Sequence, residues 1–172
     1  MVSATDMLRF PLCSPLSDNL ITGAALAKGD YNWVATGLAQ GSYPEPPESA
    51  FEHFDVVVFA AEELQPNIQA PPGCYLFKLP MDDDIYRPVP PEVGQVLHQT
   101  AHALASYLAA GNKVLTTCAQ GRNRSGILTA LTMMYAFDMP AKDVISIIQR
   151  KRSYALSNTM FTQWLLANQP QR

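Results

Sequence analysis

The sequence predicts an α/β fold in which a central, mostly parallel sheet of about four or five strands is flanked by helices. The first half of the chain contains short apolar runs separated by proline-rich segments, a pattern typical of buried strands joined by loops. The second half contains longer stretches with apolar residues at helical spacing. A strand-rich part followed by a helix-rich part indicates one layer of strands covered by helices.

Four apolar runs are predicted to be strands: WVATGL at 33–38, DVVVFAA at 55–61, CYLFKLP at 74–80 and KVLTTC at 113–118. Nearly continuous apolar runs of this length are typical of strands that are buried on both faces of a parallel sheet. Clusters of prolines between these runs mark the connecting loops.

The segment from Glu92 to Ala110 is predicted to be a helix, because its apolar residues recur on one face and it follows two prolines and ends before Gly111. The same spacing predicts helices at 125–137, 141–152 and 158–167. Residues 1–30 show no clear period, so we expect an N-terminal arm packed on a single domain that spans residues 31–172.

The composition sets limits on function. A chain of 172 residues with 48% hydrophobic content suits one globular domain. A net charge of −3 without a basic run argues against nucleic acid or an anionic membrane as the main partner. Three cysteines without framework spacing fit a reducing compartment, and no apolar run reaches the length of a membrane span. We therefore expect a cytoplasmic monomer.

The most informative motif is VLTTCAQGRNRSG at 114–126, an apolar run that ends at Cys118 and is followed by a loop and a predicted helix. A loop between a strand and a helix N-terminus binds anions through inward N–H groups, and Gly121 permits such a turn. Arg124 offers a planar fork that binds two phosphate oxygens. The same positive field favours the Cys118 thiolate, and Ser125 is placed to hydrogen-bond the sulfur. The motif predicts a cysteine that attacks phosphorus.

A carboxylic acid is expected beside this thiolate, because cleavage of a phosphate ester leaves an oxygen that needs a proton. Asp82, Asp83 and Asp84 directly follow the predicted strand that ends at Pro80. Parallel strands place their carboxyl ends at one edge, so this acidic segment is expected near Cys118.

The segment CAQGRNRSG resembles the signature of the Cys-based protein phosphatases, in particular the compact dual-specificity phosphatases. The resemblance covers roughly residues 31–168. LPMDDD is similar to the family's general-acid segment, and KRSYALSNTMFTQWL is similar to its closing helix motif. ATGLAQGSYP and FDVVVFAAEE resemble its first strands.

The resemblance implies a phosphatase that hydrolyses phosphotyrosine, and also phosphoserine or phosphothreonine, through a phosphocysteine intermediate without a metal or other cofactor. It implies Cys118 as nucleophile, Arg124 as phosphate clamp, Ser125 as thiolate partner and Asp83 as general acid, with Asp82 and Asp84 in reserve. The phosphate would be bound by the loop residues Ala119, Gln120, Gly121, Arg122, Asn123 and Arg124.

One departure from the family pattern leaves alternatives open: Thr117 stands where the family usually has His before the cysteine. That His helps to orient and ionise the thiol, so a weakly active or inactive phosphate-recognising binding module is a second hypothesis. Arg122 would also suit a phosphoinositide or an RNA 5′-phosphate, because extra positive charge meets extra phosphate. A sulfur-transfer or arsenate-reducing enzyme is disfavoured, since it gives the acidic segment no role.

The remaining polar residues are predicted to have structural roles. His98 and His102 stand one helical turn apart without a third metal ligand. Cys74 is expected to be a small buried side chain, with a disulfide to Cys118 under oxidation as the alternative. Glu62 and Glu63, at the end of a strand, are expected to be solvated or to start a helix, and the basic run 150–152 is expected to be a solvated helix end.

Overall fold

Five strands form one sheet within residues 30–171, which are the residues that the computed structural model describes. The strands are Tyr31–Ala35 (β1), Leu38–Ser42 (β2), Val56–Ala61 (β3), Tyr75–Met81 (β4) and Val114–Cys118 (β5). Their order in the sheet is β1-β2-β5-β3-β4. Every pair is parallel except β1 with β2. The predicted α/β fold with a mostly parallel sheet is confirmed.

The predicted strand at 33–38 is wrong, because the chain turns back within this run. Gly37 has a φ of 75°, a left-handed conformation that glycine adopts without steric cost. The turn separates β1 from β2, and the two strands pair antiparallel with Trp33 opposite Ala39. The other three predicted strands correspond to β3, β4 and β5.

The central strands of the sheet are apolar because both of their faces are covered. All residues of β3 and of β5 are buried, and Val56, Val57 and Val58 have no exposed surface. Since β5 lies between β2 and β3, its carboxyl end is at the middle of the sheet edge. This position is where open parallel sheets bind ligands.

Four α-helices within the described residues pack on one face of the sheet: Pro91–Ala109 (α1), Arg124–Phe137 (α2), Ala141–Lys151 (α3) and Thr159–Ala167 (α4). Each begins and ends within one residue of its predicted bounds. The central one is α2, whose first eleven residues are all buried. A smaller apolar cluster covers the opposite face, and it includes the short 3₁₀ helix Pro47–Glu52.

The predicted N-terminal arm, residues 1–30, lies outside the described residues except for Asp30, so it stays a prediction. Among residues 30–171, no helix has both the length and the apolar content that crossing a membrane requires.

Candidate active site

The Cys118 loop, defined as residues 118–124, joins the central strand of the sheet to the central helix. β5 ends at Cys118 and α2 begins at Arg124, so the strand–loop–helix arrangement predicted for this motif is confirmed. The first turn of α2 adjoins the loop and brings unpaired N–H groups and a partial positive charge. The loop therefore has the local architecture of an anion site.

Gly121 allows the Cys118 loop to lie directly against β2. Its φ is 63°, and a Cβ atom at this position would lie 2.3 Å from the carbonyl carbon of Gly41. Real Cβ atoms do not approach backbone this closely, so both the conformation and the contact require glycine.

Two buried side chains from distant parts of the chain bind the carbonyl groups of the Cys118 loop. Gln40 Nε2 donates to the carbonyl oxygens of Gly121, at 3.0 Å, and Arg122, at 3.2 Å. Arg152 donates through Nε to the Gly121 oxygen, at 2.6 Å, and through Nη2 to the Gln120 oxygen, at 3.0 Å. The backbone of the loop is thus fixed from β2 and from the end of α3.

These contacts also determine which way the loop N–H groups point. In a trans peptide the N–H and C=O groups point in opposite directions. Because the carbonyls of residues 120–122 point toward Gln40 and Arg152, the N–H groups of residues 121–123 point away from these donors. This orientation agrees with the inward N–H groups expected for an anion cradle.

Cys118 lies at the base of the loop, with a relative exposure of 3%. Its Sγ is 3.3 Å from Ser125 Oγ, so the predicted partner of the sulfur is in place. Thr117 does not provide a second partner, because its hydroxyl donates to the carbonyl oxygen of Val58 at 2.9 Å.

Arg124 is held by Glu63, which the sequence analysis wrongly expected to be solvated or to start a helix. Arg124 Nη2 donates to Glu63 Oε1 at 2.7 Å, and Nη1 donates to the other carboxylate oxygen. Nη1 also donates to the carbonyl oxygen of Met81 at 3.2 Å. The hydrogen bond from Arg124 lowers the pKa of Glu63. Sequence reasoning missed this pair because β3 and α2 lie far apart along the chain.

The guanidinium of Arg124 has a buried donor that no protein group within residues 30–171 uses. Among the described residues, Arg124 Nε is buried and has no hydrogen-bond partner. Burial opposes the charge of Arg124, but its hydrogen bond to Glu63 and the nearby groups Cys118 and Asp83 raise its pKa. A buried donor without a partner is costly, which is consistent with an anion as its partner.

The aspartate loop, defined as residues 82–88, reaches the Cys118 loop through Asp83. Asp83 Oδ2 accepts a hydrogen bond from Asn123 Nδ2 at 3.1 Å, and Oδ1 accepts one from Asn158 Nδ2 at 2.8 Å. Asp82 and Asp84 instead accept backbone N–H groups of their own loop. Of these three carboxylates, Asp83 is the one with a hydrogen bond to the Cys118 loop.

The rim of the site carries exposed aromatic side chains. The guanidinium of Arg122 lies 5.4 Å from the ring centroid of Tyr154, in a cation–π contact. Tyr154 is 72% exposed and has a φ of 66°, which is uncommon for a residue with a side chain. Tyr86 of the aspartate loop is 85% exposed. The exposed rings of Tyr154 and Tyr86 can contact the organic part of a phosphate ester.

Two residues that fix the loop were not found from the sequence. Arg152 was expected to be solvated, but it is buried and also pairs with Asp30. The hydrogen bond from Arg152 lowers the pKa of Asp30. Gln40 is fully buried in β2. A polar residue between the apolar residues of a strand was the available signal, but it does not reveal which carbonyl groups the side chain binds.

The alternative of a disulfide between Cys74 and Cys118 is wrong for this fold. Val56 of β3 pairs with Tyr75 of β4 on one side and with Val114 of β5 on the other. Cys74 is the residue before Tyr75. Cys74 and Cys118 are therefore separated by about five residues along the strand direction, or roughly 16 Å at 3.3 Å per residue. A disulfide requires Cα atoms less than about 7 Å apart.

His98 has a structural partner, as predicted. Its Nδ1 is 2.8 Å from the hydroxyl of Tyr135, and burial lowers the pKa of its ring. No cluster of three metal-ligating side chains occurs among residues 30–171.

Comparisons with known proteins agree with this architecture. A family model described as the dual specificity phosphatase catalytic domain matches residues 39–171. No curated protein sequence matches the chain.

Among solved structures, human DUSP28 has a TM-score of 0.68 and 22% sequence identity, and the match covers 81% of this chain and 92% of that one. A mouse putative dual specificity phosphatase, solved in complex with zinc tungstate, has a TM-score of 0.70 and 22% identity over 88% of this chain and 92% of that one. The human tyrosine phosphatase-like serine/threonine/tyrosine-interacting protein has a TM-score of 0.65 and 19% identity, with coverage of 80% and 94%. At these identities the similarity shows the fold.

Proposed function

The chain belongs to the dual specificity phosphatase family, and from this membership we propose that it hydrolyses phosphate monoesters through a phosphocysteine intermediate. The proposed substrates are phosphotyrosine and phosphoserine or phosphothreonine in proteins. The observation that carries the proposal is that one short loop brings together a thiol, its hydroxyl partner, a buried arginine donor and a carboxylic acid.

In the first step, Cys118 Sγ attacks phosphorus as the bond from phosphorus to the leaving oxygen breaks. Asp83 gives its proton to that oxygen, so the alcohol or phenol leaves as a neutral molecule. Arg124 and the loop N–H groups stabilise the charge on the three remaining phosphoryl oxygens. Glu63 orients this arginine by binding both of its terminal nitrogens.

In the second step, water attacks the phosphorus of the phosphocysteine and the S–P bond breaks. Asp83, now ionised, takes a proton from the water, and inorganic phosphate is released. The sulfur leaves as a thiolate, which the Ser125 hydroxyl stabilises by a hydrogen bond over the observed 3.3 Å. Both steps use the same acid–base group, and the cycle returns the enzyme to its starting state.

The test is hydrolysis of p-nitrophenyl phosphate and of phosphopeptides by the purified full chain under reducing conditions, with Cys118→Ser as the control. We expect turnover that is lost in Cys118→Ser, together with a phosphorylated protein that can be trapped by acid quench. Release of phosphate at the same rate by both proteins, or activity without a trapped intermediate, would contradict the mechanism.

A specific observation supports the second candidate, a phosphate-recognising binding module. The Thr117 hydroxyl is bound to the Val58 carbonyl, so it does not replace the activating His of the family pattern. If the chain is a binding module, the wild-type protein should bind phosphopeptides with the same affinity as the Cys118→Ser variant and should release no phosphate from them. Binding measured by fluorescence polarisation, beside the turnover assay, separates the two functions.

A further inference from the structure

We propose that Asn123 is a positioning residue that holds Asp83 over the Cys118 loop before substrate arrives. The inference rests on the proposed function, because it assigns to Asn123 the placement of the general acid. It is carried by the hydrogen bonds of one side chain amide, which joins three separate segments of the chain.

Both ends of the Asn123 amide are used. Its Nδ2 donates to Asp83 Oδ2 at 3.1 Å. Its Oδ1 accepts the backbone N–H of Asn158 at 3.0 Å and the Ser157 hydroxyl at 3.2 Å. Because the oxygen is fixed by two donors, the amide cannot rotate freely, and its N–H groups are directed at the aspartate loop.

Asn123 lies in the Cys118 loop, so its hydrogen bond links this loop to Asp83. Asn123 immediately precedes Arg124, at the N-cap position of α2 but without a side-chain capping hydrogen bond, so it belongs to the loop that surrounds Cys118. Its hydrogen bond to Asp83 ties the acid to the loop that carries the nucleophile. Asn158 also donates to Asp83, but its oxygen caps α4 through the Met160 N–H. Replacing Asn158 would therefore also disturb a helix, whereas Asn123 gives the more selective test.

The hydrogen bonds leave Asp83 able to act as an acid. Each carboxyl oxygen has two lone-pair positions, and each accepts one amide N–H in this structure. One position per oxygen remains for the proton that the leaving group needs. The two amides thus restrain the orientation of the Asp83 carboxyl group and leave one lone-pair position free on each of its oxygens.

The experiment uses the dependence of kcat/KM on the leaving group. Phenyl phosphate needs an acid because phenoxide is a poor leaving group, whereas 2,4-dinitrophenyl phosphate leaves without one. Misplacing a catalytic group by about 1 Å costs on the order of 100-fold, so we expect Asn123→Ala to lower kcat/KM for phenyl phosphate by about 10-fold or more. For the dinitrophenyl ester the decrease should be at most about 3-fold, since that substrate does not depend on the acid.

Two further variants make the result specific. In an Asp83→Asn background, Asn123→Ala should cause no additional loss with phenyl phosphate, because the group that it positions is gone. Ser157→Ala removes one of the two donors to the Asn123 oxygen and should cause a smaller loss with phenyl phosphate than Asn123→Ala. Equal losses on both esters in Asn123→Ala, or additive losses in the double variant, would overturn the inference.

A second measurement does not depend on turnover. Amide hydrogen exchange in the aspartate loop should be faster in Asn123→Ala than in the wild-type chain, and accelerated less in Ser157→Ala. If the wild-type chain releases no more phosphate than Cys118→Ser, the proposed function fails, and exchange still decides whether Asn123 holds the loop. Unchanged exchange in Asn123→Ala would refute the positioning role.

Discussion

Replacement of Gly121 by alanine tests whether the Cys118 loop depends on its contact with β2. A left-handed alanine costs about 1–2 kcal/mol, and forcing a methyl group into packed surroundings costs about 1–3 kcal/mol more. Here the new Cβ would meet the Gly41 carbon at 2.3 Å and the Gly41 oxygen and Ser42 nitrogen at 2.5 Å, all backbone atoms that cannot rotate away. After the entropy gain of about 0.4–1 kcal/mol from a stiffer unfolded chain, the net destabilisation is about 1–4.6 kcal/mol.

The chain provides a matched control in Gly111. Its φ of 87° is also left-handed, but a Cβ there would have no atom within 4 Å. Gly111→Ala therefore measures the conformational cost alone, which is about 1 kcal/mol or less after the unfolded-state gain.

The assay is thermal unfolding followed by circular dichroism, with phosphatase activity measured in parallel. At about 2–4 °C per kcal/mol for a chain of this size, Gly121→Ala should lower Tm by at least about 2 °C and Gly111→Ala by less. Activity should fall in Gly121→Ala and persist in Gly111→Ala. If the two variants have the same Tm, the argument from close backbone contact is refuted.

Three further predictions follow from the contacts of the site. The pKa of Glu63 is lowered from 4.5 in the folded chain. Its pair with Arg124 therefore contributes stability above pH 4.5, and this contribution is lost as the pH falls through the lowered pKa of Glu63. In urea unfolding, the difference in the free energy of unfolding between wild type and Glu63→Gln should decrease from about pH 7 to about pH 3. Arg152→Met leaves the Gln120 carbonyl without its side-chain donor and the Gly121 carbonyl with Gln40 alone, so it should destabilise the chain by about 1–3 kcal/mol in urea unfolding. After peroxide treatment, mass spectrometry should find no peptide linked between Cys74 and Cys118.

Each of these predictions has a control or a contrary outcome. Glu62→Gln changes the neighbouring carboxylate and should leave the pH dependence of stability unchanged. Arg150→Met removes an exposed arginine one turn from Ser146 and should cost less than 1 kcal/mol, by the typical size of surface substitutions. A disulfide between Cys74 and Cys118 in the folded chain would mean that the strand register described above is incorrect.

The sequence was sufficient for the helices and for the Cys118 loop, because these depend on local patterns. The apolar period of α1, its preceding prolines and the glycine after it mark both ends of the helix. The spacing from Cys118 to Arg124 likewise lies within one strand–loop–helix unit. The β1–β2 hairpin was missed because its apolar run continues through the turn, and Gly37 was the only local sign of a reversal.

The contacts that complete the site could not be found in this way, because they join distant segments. Glu63 and Arg124 are 61 residues apart, and Arg152 and Asp30 are 122 apart. A charged residue on a strand end or helix end is solvated in most proteins, so the residue type alone favours the wrong interpretation. Only the register of β3 and β5, and the packing of α3 near β1, bring these partners together.

The anchoring of the Cys118 loop by Gln40 and Arg152 has a consequence for ligand recognition. A loop whose outward carbonyls are already bound keeps its shape in the absence of an anion, so capture of a tetrahedral oxyanion requires little ordering of the backbone. Tungstate or vanadate should then associate without a slow conformational phase, and affinity differences among such oxyanions should reflect their charge and size. The site is in that sense preformed, and an oxyanion would bind to it without induced fit of the loop.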